Sequence, residues 1–520
     1  MIKKFKAKGN GQQLPEVNLI CDLTTFRRYC QYIVLSLCIG LNIYAAEPAS
    51  ESKNSNNTVA PTLLARCGLP FQDNAVLQQK LPLPVWGKSL PAAKVTVTFD
   101  NQSQSTVANK NGAWRVVLDP MIAIKLASVN QIPQGKTMVI VCELNDKSAV
   151  KEIKNIVIGE VWICAGQSNM AGSIKTNRTR HFPKDTLEKA DYPALRQMQA
   201  TQQQPWLVCS SETAPRFKKV AFFFGRRLQR DALVPVGLIS AAVGGSNIES
   251  WLHQPPFSRG KNYERIIAPI VGYGIRGTIW YQGESNERDG RQYLPKLSTL
   301  ISGWRAAWNQ PSSQSADGPH RDFSFYFVQL PGIGTSSGDN PAGGDGRAEI
   351  RNAQLEALAI RNTGMAVAID VGDVREHPPN KYDTGVRLAR LALHKDYGFK
   401  DLVPAGPLYK EHKIEGHSIR ICFNYAQNGL MLAQKEGFLP PKPTPDAKMS
   451  WLSVKAQDGT WHWAEGKIDG ADLVVSCKGV NKPVAVRYGY TNHPVGSLLY
   501  NKDGLPASPF TTNGYDAIAK

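Results

Sequence analysis

"GEVWICAGQSNMAG" (159–172) decides how the chain is read. Its short apolar run, Val161 to Ala165, is bounded by glycines and reads as a buried strand. Ser168 stands just past that strand and before a helical stretch. A serine on such a turn exposes its hydroxyl, and the helix that follows points its N-terminus at developing negative charge. A lone serine after a strand is more often a turn residue or a helix cap. Its neighbours along the chain have to decide the matter.

Outward from this stretch, residues 156–402 alternate short apolar runs with longer helical ones. "VIGEVWICA" (157–165), "VPVGLISA" (234–241), "GTIWY" (277–281), "FSFYFVQL" (323–330) and "GMAVAID" (364–370) read as strands. "YLPKLSTLISGWRAAW" (293–308) and "TGVRLARLALHK" (384–395) read as helices. The second sets Val386, Leu388, Leu391, Ala392 and Leu393 against Arg387, Arg390 and Lys395. Strand–helix alternation predicts an α/β fold with a parallel sheet covered on both faces. Chemistry in such sheets collects at the carboxyl ends of the strands.

Polar residues crowd those ends. "AAVGGSNIESW" (241–251) brings Gly244 and Gly245, which let backbone N–H groups approach a ligand closely. "WYQGESN" (280–286) gathers Gln282, Glu284 and Asn286 around Gly283. "DVGDVREHPPNK" (370–381) supplies His377 in a loop, with Asp373 four residues earlier. Each piece is weak alone, since paired glycines usually make tight turns. A doubly wound sheet lines the pieces along one rim, where a nucleophile, donors and a base converge. Among the nine histidines, His377 alone joins that position to a polar, Pro-anchored setting. His181 and His253 are weaker candidates, His320 has no motif around it, His394 lies on an amphipathic helix, and the other four lie in the C-terminal β region.

The flanks read differently. Residues 63–155 carry alternating β-type runs with Asn-Gly and Gly-Lys punctuation, as do residues 403–520 ("HSIRICFNY", "ADLVVSCKG", "KPVAVRYGY"). Both are expected to be β-sandwich-like domains. Residues 47–62 are polar and Asn/Ser-rich, a tether. Residues 1–46 show the secretory pattern: Lys3, Lys4, Lys6, Lys8, Arg27 and Arg28, then "YIVLSLCIGLNIYAA" (32–46) ending in small residues. That apolar stretch is short for a membrane span, which needs about 20 residues. The segment therefore predicts export, secreted or periplasmic, with membrane contact only if it stays uncleaved.

The formal charge of +18 is scattered beyond the first 46 residues, without the basic runs that track a phosphate backbone. Nucleic acid is disfavoured as a partner. Cys67, Cys142, Cys164, Cys209, Cys422 and Cys477 show no CxxC spacing, so neither a zinc site nor a dense disulfide framework is indicated. Cys67 and Cys142 fall in one domain, where they either pair or remain buried thiols. The Gly-rich "GIGTSSGDNPAGGDG" (332–346) lacks the Lys-Ser/Thr ending of a phosphate loop.

Together, "GEVWICAGQSNM", "GGSNIESW", "YGIRGTIWYQGESN" and "HPPNKYDTGVRLARLAL" resemble the sialate O-acetylesterase family of SGNH hydrolases. The flanks extend the likeness through "FQDNAVLQQKLPLPVWG" (71–87), "AVRYGYTNHP" (485–494) and "LLYNKDGLPASPF" (498–510), so it spans roughly residues 63–512. The resemblance implies a flavodoxin-like α/β/α sandwich that removes O-acetyl groups from sugars, without a cofactor or a metal. An acetylxylan or other plant-glycan esterase is the alternative substrate class, and a non-catalytic glycan-binding protein is the alternative outside enzymes. By position Ser168 becomes the nucleophile and His377 its base. The oxyanion hole falls to the Ser168 N–H, the Gly245 N–H and the Gln282 amide, with Gln282 preferred to Asn286 because it is nearer the strand end. The family writes an acid, several residues and then Ile-His-Pro. Here "GDVREHP" is one residue shorter, with Glu376 directly before the histidine. Asp373 is the expected orienting acid, and a Ser–His dyad oriented by a backbone carbonyl is the alternative.

Overall fold

The computed structural model describes residues 62–513, apart from 175–181, 184, 185, 188, 312–321, 336, 337 and 339. The expected export segment, all but the last residue of the tether, His181 and His320 lie outside the described residues.

The central sheet is built from β1 (Lys147–Gly166), β2 (Tyr192–Gln199), β3 (Gln204–Cys209), β4 (Val236–Ala242), β5 (Gly277–Tyr281), β6 (Ser324–Gln329) and β7 (Thr363–Val367). Their order is β3-β2-β4-β1-β5-β6-β7. Every neighbouring pair is parallel except β3, which runs antiparallel to β2 at the edge. The helices are α1 (Ser168–Ala171), α2 (Lys219–Ala232), α3 (Tyr293–Trp308), α4 (Ala348–Glu356) and α5 (Lys381–Asp396).

Both faces of the sheet are covered, as expected of continuous apolar strands. Trp162 of β1 packs edge-on against Phe224 of α2, with centroids 5.1 Å apart. Trp162 is in register with Gly277 of β5, so Trp280, three residues on, projects from the opposite face. There it meets Trp304 of α3 at 6.0 Å and Trp251 at 5.9 Å. On the first face α5 crosses α2 closely at Gly385, where a Cβ would stand 2.7 Å from the Val220 carbonyl.

Two features were not legible beforehand. The hairpin β2–β3 carries Arg196, Gln197 and Gln199, all buried, so its text lacks the apolar run of a core strand. Arg196 donates to the Asn155 carbonyl (2.5 Å), and the Gln197 amide oxygen accepts from Lys218 N–H (3.0 Å). Also, the step expected between residues 155 and 156 falls inside β1, a single strand of 20 residues. Its first half pairs antiparallel with Lys136–Leu144 and its second half runs parallel in the central sheet. Asn155, at φ 56°, sits where one role passes to the other.

Most N-terminal strands form antiparallel ladders around Lys94–Phe99 and Leu83–Lys88, Val76–Gln78 runs parallel to β1, and the C-terminal strands form three antiparallel sheets. Cys67 and Cys142 are unpaired, like the other four described cysteines. Burial pushes the Cys67 thiol up to about 12.

Candidate active site

Gly166, the last residue of β1, is in register with Ala242 of β4 and Tyr281 of β5, so three strands end side by side. It adopts φ 134°, and a Cβ there would lie 2.1 Å from the Tyr281 carbonyl, so only glycine fits. The ladder runs one step further: Gln167 N–H donates to Tyr281 O (3.0 Å) and Val243 N–H to Gly166 O (3.0 Å). The chain then turns into α1 at Ser168, which is partly exposed. At four residues α1 is one turn, so the expected helix N-terminus reduces to its first N–H groups, which have no intrahelical acceptor.

The glycine pair lies beside this turn. Ser246 N–H reaches back to Val243 O (3.4 Å), closing a turn over Gly244 and Gly245, and both glycines are exposed. Gly245 takes φ 66°, and a Cβ on Gly244 would stand 3.8 Å from the Ser168 Cβ. Gly244, whose peptide leads on to the Gly245 N–H, therefore lies beside Ser168.

The side-chain amides behave differently from the donor role expected of Gln282. That residue is fully buried, and its Nε2 lies 3.1 Å from Gln167 Oε1, 3.2 Å from Ser246 O and 2.7 Å from Asn286 Oδ1. Two hydrogens facing three acceptors leave none over, and its Oε1 accepts from the Tyr293 hydroxyl (2.8 Å). Asn286 is engaged as well, by Glu249 (3.1 Å), Asp289 (2.8 Å) and the Ile248 N–H (2.8 Å). Gln282 thus ties the serine turn, the glycine turn and the "QGESN" segment into one buried unit.

The histidine arrives from the other side of the rim. Asn169 Nδ2 donates to Glu376 O (3.2 Å), so the residue after Ser168 is bonded to the residue before His377. His377 is exposed, and among the described residues neither its ring nor the Ser168 hydroxyl makes a hydrogen bond. Catalytic hydrogen bonds in unliganded enzymes are often long and tighten only with substrate. Asp373 is fixed rather than free: its Oδ1 accepts from Arg375 N–H (2.9 Å) and Nε (2.8 Å), and its Oδ2 accepts from Arg375 Nη2 (3.1 Å). These bonds hold its carboxyl below the usual range. A carboxylate accepts about four, so a lone pair on Oδ2 remains for an imidazole N–H.

Three other described histidines are held by structural contacts. His253 stacks on Tyr263 at 4.3 Å, and burial first, then Arg259, lowers its basicity. His394 Nδ1 lies 2.9 Å from Leu402 O. His493 is buried against Gly332, with Nδ1 2.5 Å from Gly334 O.

One cluster escaped the sequence reading. Lys381 Nζ donates to Asn169 Oδ1 (2.6 Å), and Asn169 Nδ2 donates to Glu284 Oε1 (2.5 Å). All three side chains are buried, at 6%, 1% and 4% exposure. The available signal was a lysine four residues after the candidate histidine, in "HPPNK".

Known proteins resemble this arrangement. Residues 158–316 match the family described as carbohydrate esterase, sialic acid-specific acetylesterase. The sialate O-acetylesterases of Homo sapiens and Mus musculus are 27% and 26% identical to the chain, over 85% of it and 91% and 93% of their own lengths. A crystal structure of a carbohydrate acetylesterase from Xanthomonas citri superposes with a TM-score of 0.73 at 27% identity, covering 86% of this chain and 99% of that one. Residues 158–316 thus match the model of the sialic acid-specific acetylesterase family of carbohydrate esterases, and most of the chain is similar to sialate O-acetylesterases and to a carbohydrate acetylesterase of known structure.

Proposed function

We propose that this protein is a serine esterase that removes O-acetyl groups from sugars, with Ser168 as nucleophile and His377 as base. One observation carries the reading: the Ser168 turn, the Gly244–Gly245 turn and the His377 loop meet at one edge of a parallel sheet. As the Ser168 hydroxyl attacks the acetyl carbonyl, His377 takes its proton. The N–H groups of Ser168 and Gly245 face the developing oxyanion, each such donor typically contributing about 3 kcal/mol. Gln282 acts by holding these two turns in place. His377 then protonates the leaving sugar oxygen, and water, activated by the same imidazole, releases acetate and restores Ser168. Asp373, steadied by Arg375, accepts the Nδ1–H of His377 once the loop settles on substrate.

Sialic acid O-acetyl groups are the proposed substrate, on the strength of the relatives' names. Export by residues 1–46 and β-sandwich-like flanks at 63–155 and 403–520 around a 156–402 catalytic region complete the reading. Among the described residues no helix is long and apolar enough to cross a membrane. The test is acetate release by purified protein from O-acetylated sialic acid against acetylated xylan, with Ser168→Ala alongside. Preference for the sialic acid ester and a Ser168→Ala rate lower by at least about 10³-fold are expected. A Ser168→Ala protein of near-normal rate overturns the assignment.

A further inference from the structure

Lys381 breaks two rules at once. It is the first residue of α5, where the partial positive charge of a helix N-terminus disfavours a cation. It is also 6% exposed, and lysines are almost never buried unless paired. Places where a sequence violates local rules are commonly functional ones. Its nearest acceptor is not a carboxylate but the Asn169 amide oxygen, 2.6 Å away, and Glu284 lies on the far side of that amide. Asn169 is thus gripped between a cation at its oxygen end and an anion at its nitrogen end. A flipped amide would set NH₂ against ammonium and oxygen against carboxylate, so the orientation is locked. Locked this way, the second Nδ2 hydrogen points at the Glu376 carbonyl (3.2 Å), next to His377.

We propose that Lys381 is a positioning residue for the esterase reaction, acting through Asn169 to hold the His377 loop over Ser168. The inference rests on the esterase reading above. The groups that face Lys381 are Glu284 and Asp373, which favour its charge, and Lys219 and Arg347, which oppose it; the Tyr281 ring lies 5.5 Å from its Nζ. Burial is the largest influence and brings the ammonium down to about 7. The charge that locks Asn169 is therefore lost as pH rises through neutrality, which places an alkaline limb on turnover in addition to the acid limb that a histidine base produces.

The test is the pH profile of 4-nitrophenyl acetate hydrolysis by the full chain, an ester with no sugar to bind, in wild type, Lys381→Arg, Lys381→Met, Asn169→Asp and Ser168→Ala. Wild type is expected to lose kcat above about pH 7 while its circular dichroism is unchanged. Lys381→Arg, whose guanidinium stays charged, moves that limb up by at least one pH unit. Lys381→Met lowers kcat at least tenfold with KM within twofold. Asn169→Asp keeps the lysine contact, turns an oxygen toward Glu284 and Glu376 in place of the donor, and matches it; if neither variant folds, the limb in Lys381→Arg still decides. A folded Asn169→Asp with wild-type kcat, or a limb unmoved in Lys381→Arg, overturns the positioning role. If Ser168→Ala is dead in the same assay, only the positioning role has failed; if Ser168→Ala is active, the esterase reading has failed.

Discussion

Arg276→Leu is expected to weaken the fold by about 3–5 kcal/mol at pH 7.5, the usual effect of removing one partner from a buried ion pair. Glu160 of β1 is fully buried, and Arg276, just before β5, is 5% exposed at its side chain. The guanidinium meets the carboxylate twice, Nε to Oε2 at 2.7 Å and Nη2 to Oε1 at 2.9 Å. Gln78 (3.0 Å), Gln79 (2.5 Å) and the Tyr397 hydroxyl (3.0 Å) donate as well. The substitution leaves those neutral donors and strands the charge. Burial pushes the Glu160 carboxyl up, but Arg276 and the two glutamines outweigh it and hold the group low. Wild type therefore gains stability from Glu160 above its unfolded-state value and loses it as pH falls. In Arg276→Leu, burial, the largest influence, is opposed only by the neutral donors, the carboxyl rises above its unfolded value, and the contribution is instead lost as pH rises. The gap between the proteins should thus be widest at pH 7.5 and narrow toward pH 4.5, measured by urea unfolding followed through tryptophan fluorescence. Equal destabilisation at both pH values, or a loss below about 1 kcal/mol, refutes the account. Adding Glu160→Gln should restore much of the loss, because no buried charge is then left alone.

Two further substitutions probe the rim. Asp373→Asn should lower kcat by about 10²–10⁴ if the carboxylate orients His377, whereas a loss under about fivefold in acetate release favours a Ser–His dyad. Gly166→Ala places a methyl 2.1 Å from the Tyr281 carbonyl, and a shift of about 1 Å in Ser168 costs about 10² in kcat, so a folded variant of normal rate contradicts the geometry.

The strands and the serine turn were legible because their signals are local. "VWICA" between glycines, Ser168 after it, and the helices at 293–308 and 384–395 each announce themselves within a few residues, and α3 and α5 fall where expected. The hairpin β2–β3 was not legible, because Arg196 and Gln197 find their buried partners at Asn155 and Lys218, outside their own strand. The Lys381 array was hidden for the same reason. Its partners lie 212 and 115 residues apart in the chain, and no window of sequence contains both. Asp373 was read as part of the His377 loop, but its clamp by Arg375, two residues on, went unread.

The amides show why motif text overstates how many side chains touch substrate. Gln282, Asn286 and Asn169 all stand at strand ends facing the chemistry, yet every amide hydrogen they have is turned to a protein acceptor. Buried polar groups must be satisfied, and a network satisfied throughout is rigid. On the proposed reading the donors left to meet an oxyanion are main-chain N–H groups, at Ser168 and Gly245, which no side-chain truncation removes. Alanine scanning of this rim should therefore separate into two classes: loss of chemistry at Ser168 and His377, and loss of placement at the amides, where kcat and stability fall together. On the proposed reading the oxyanion donors move with the turns that carry them, and Gly166, whose conformation sets where the serine turn begins, is one residue that places them.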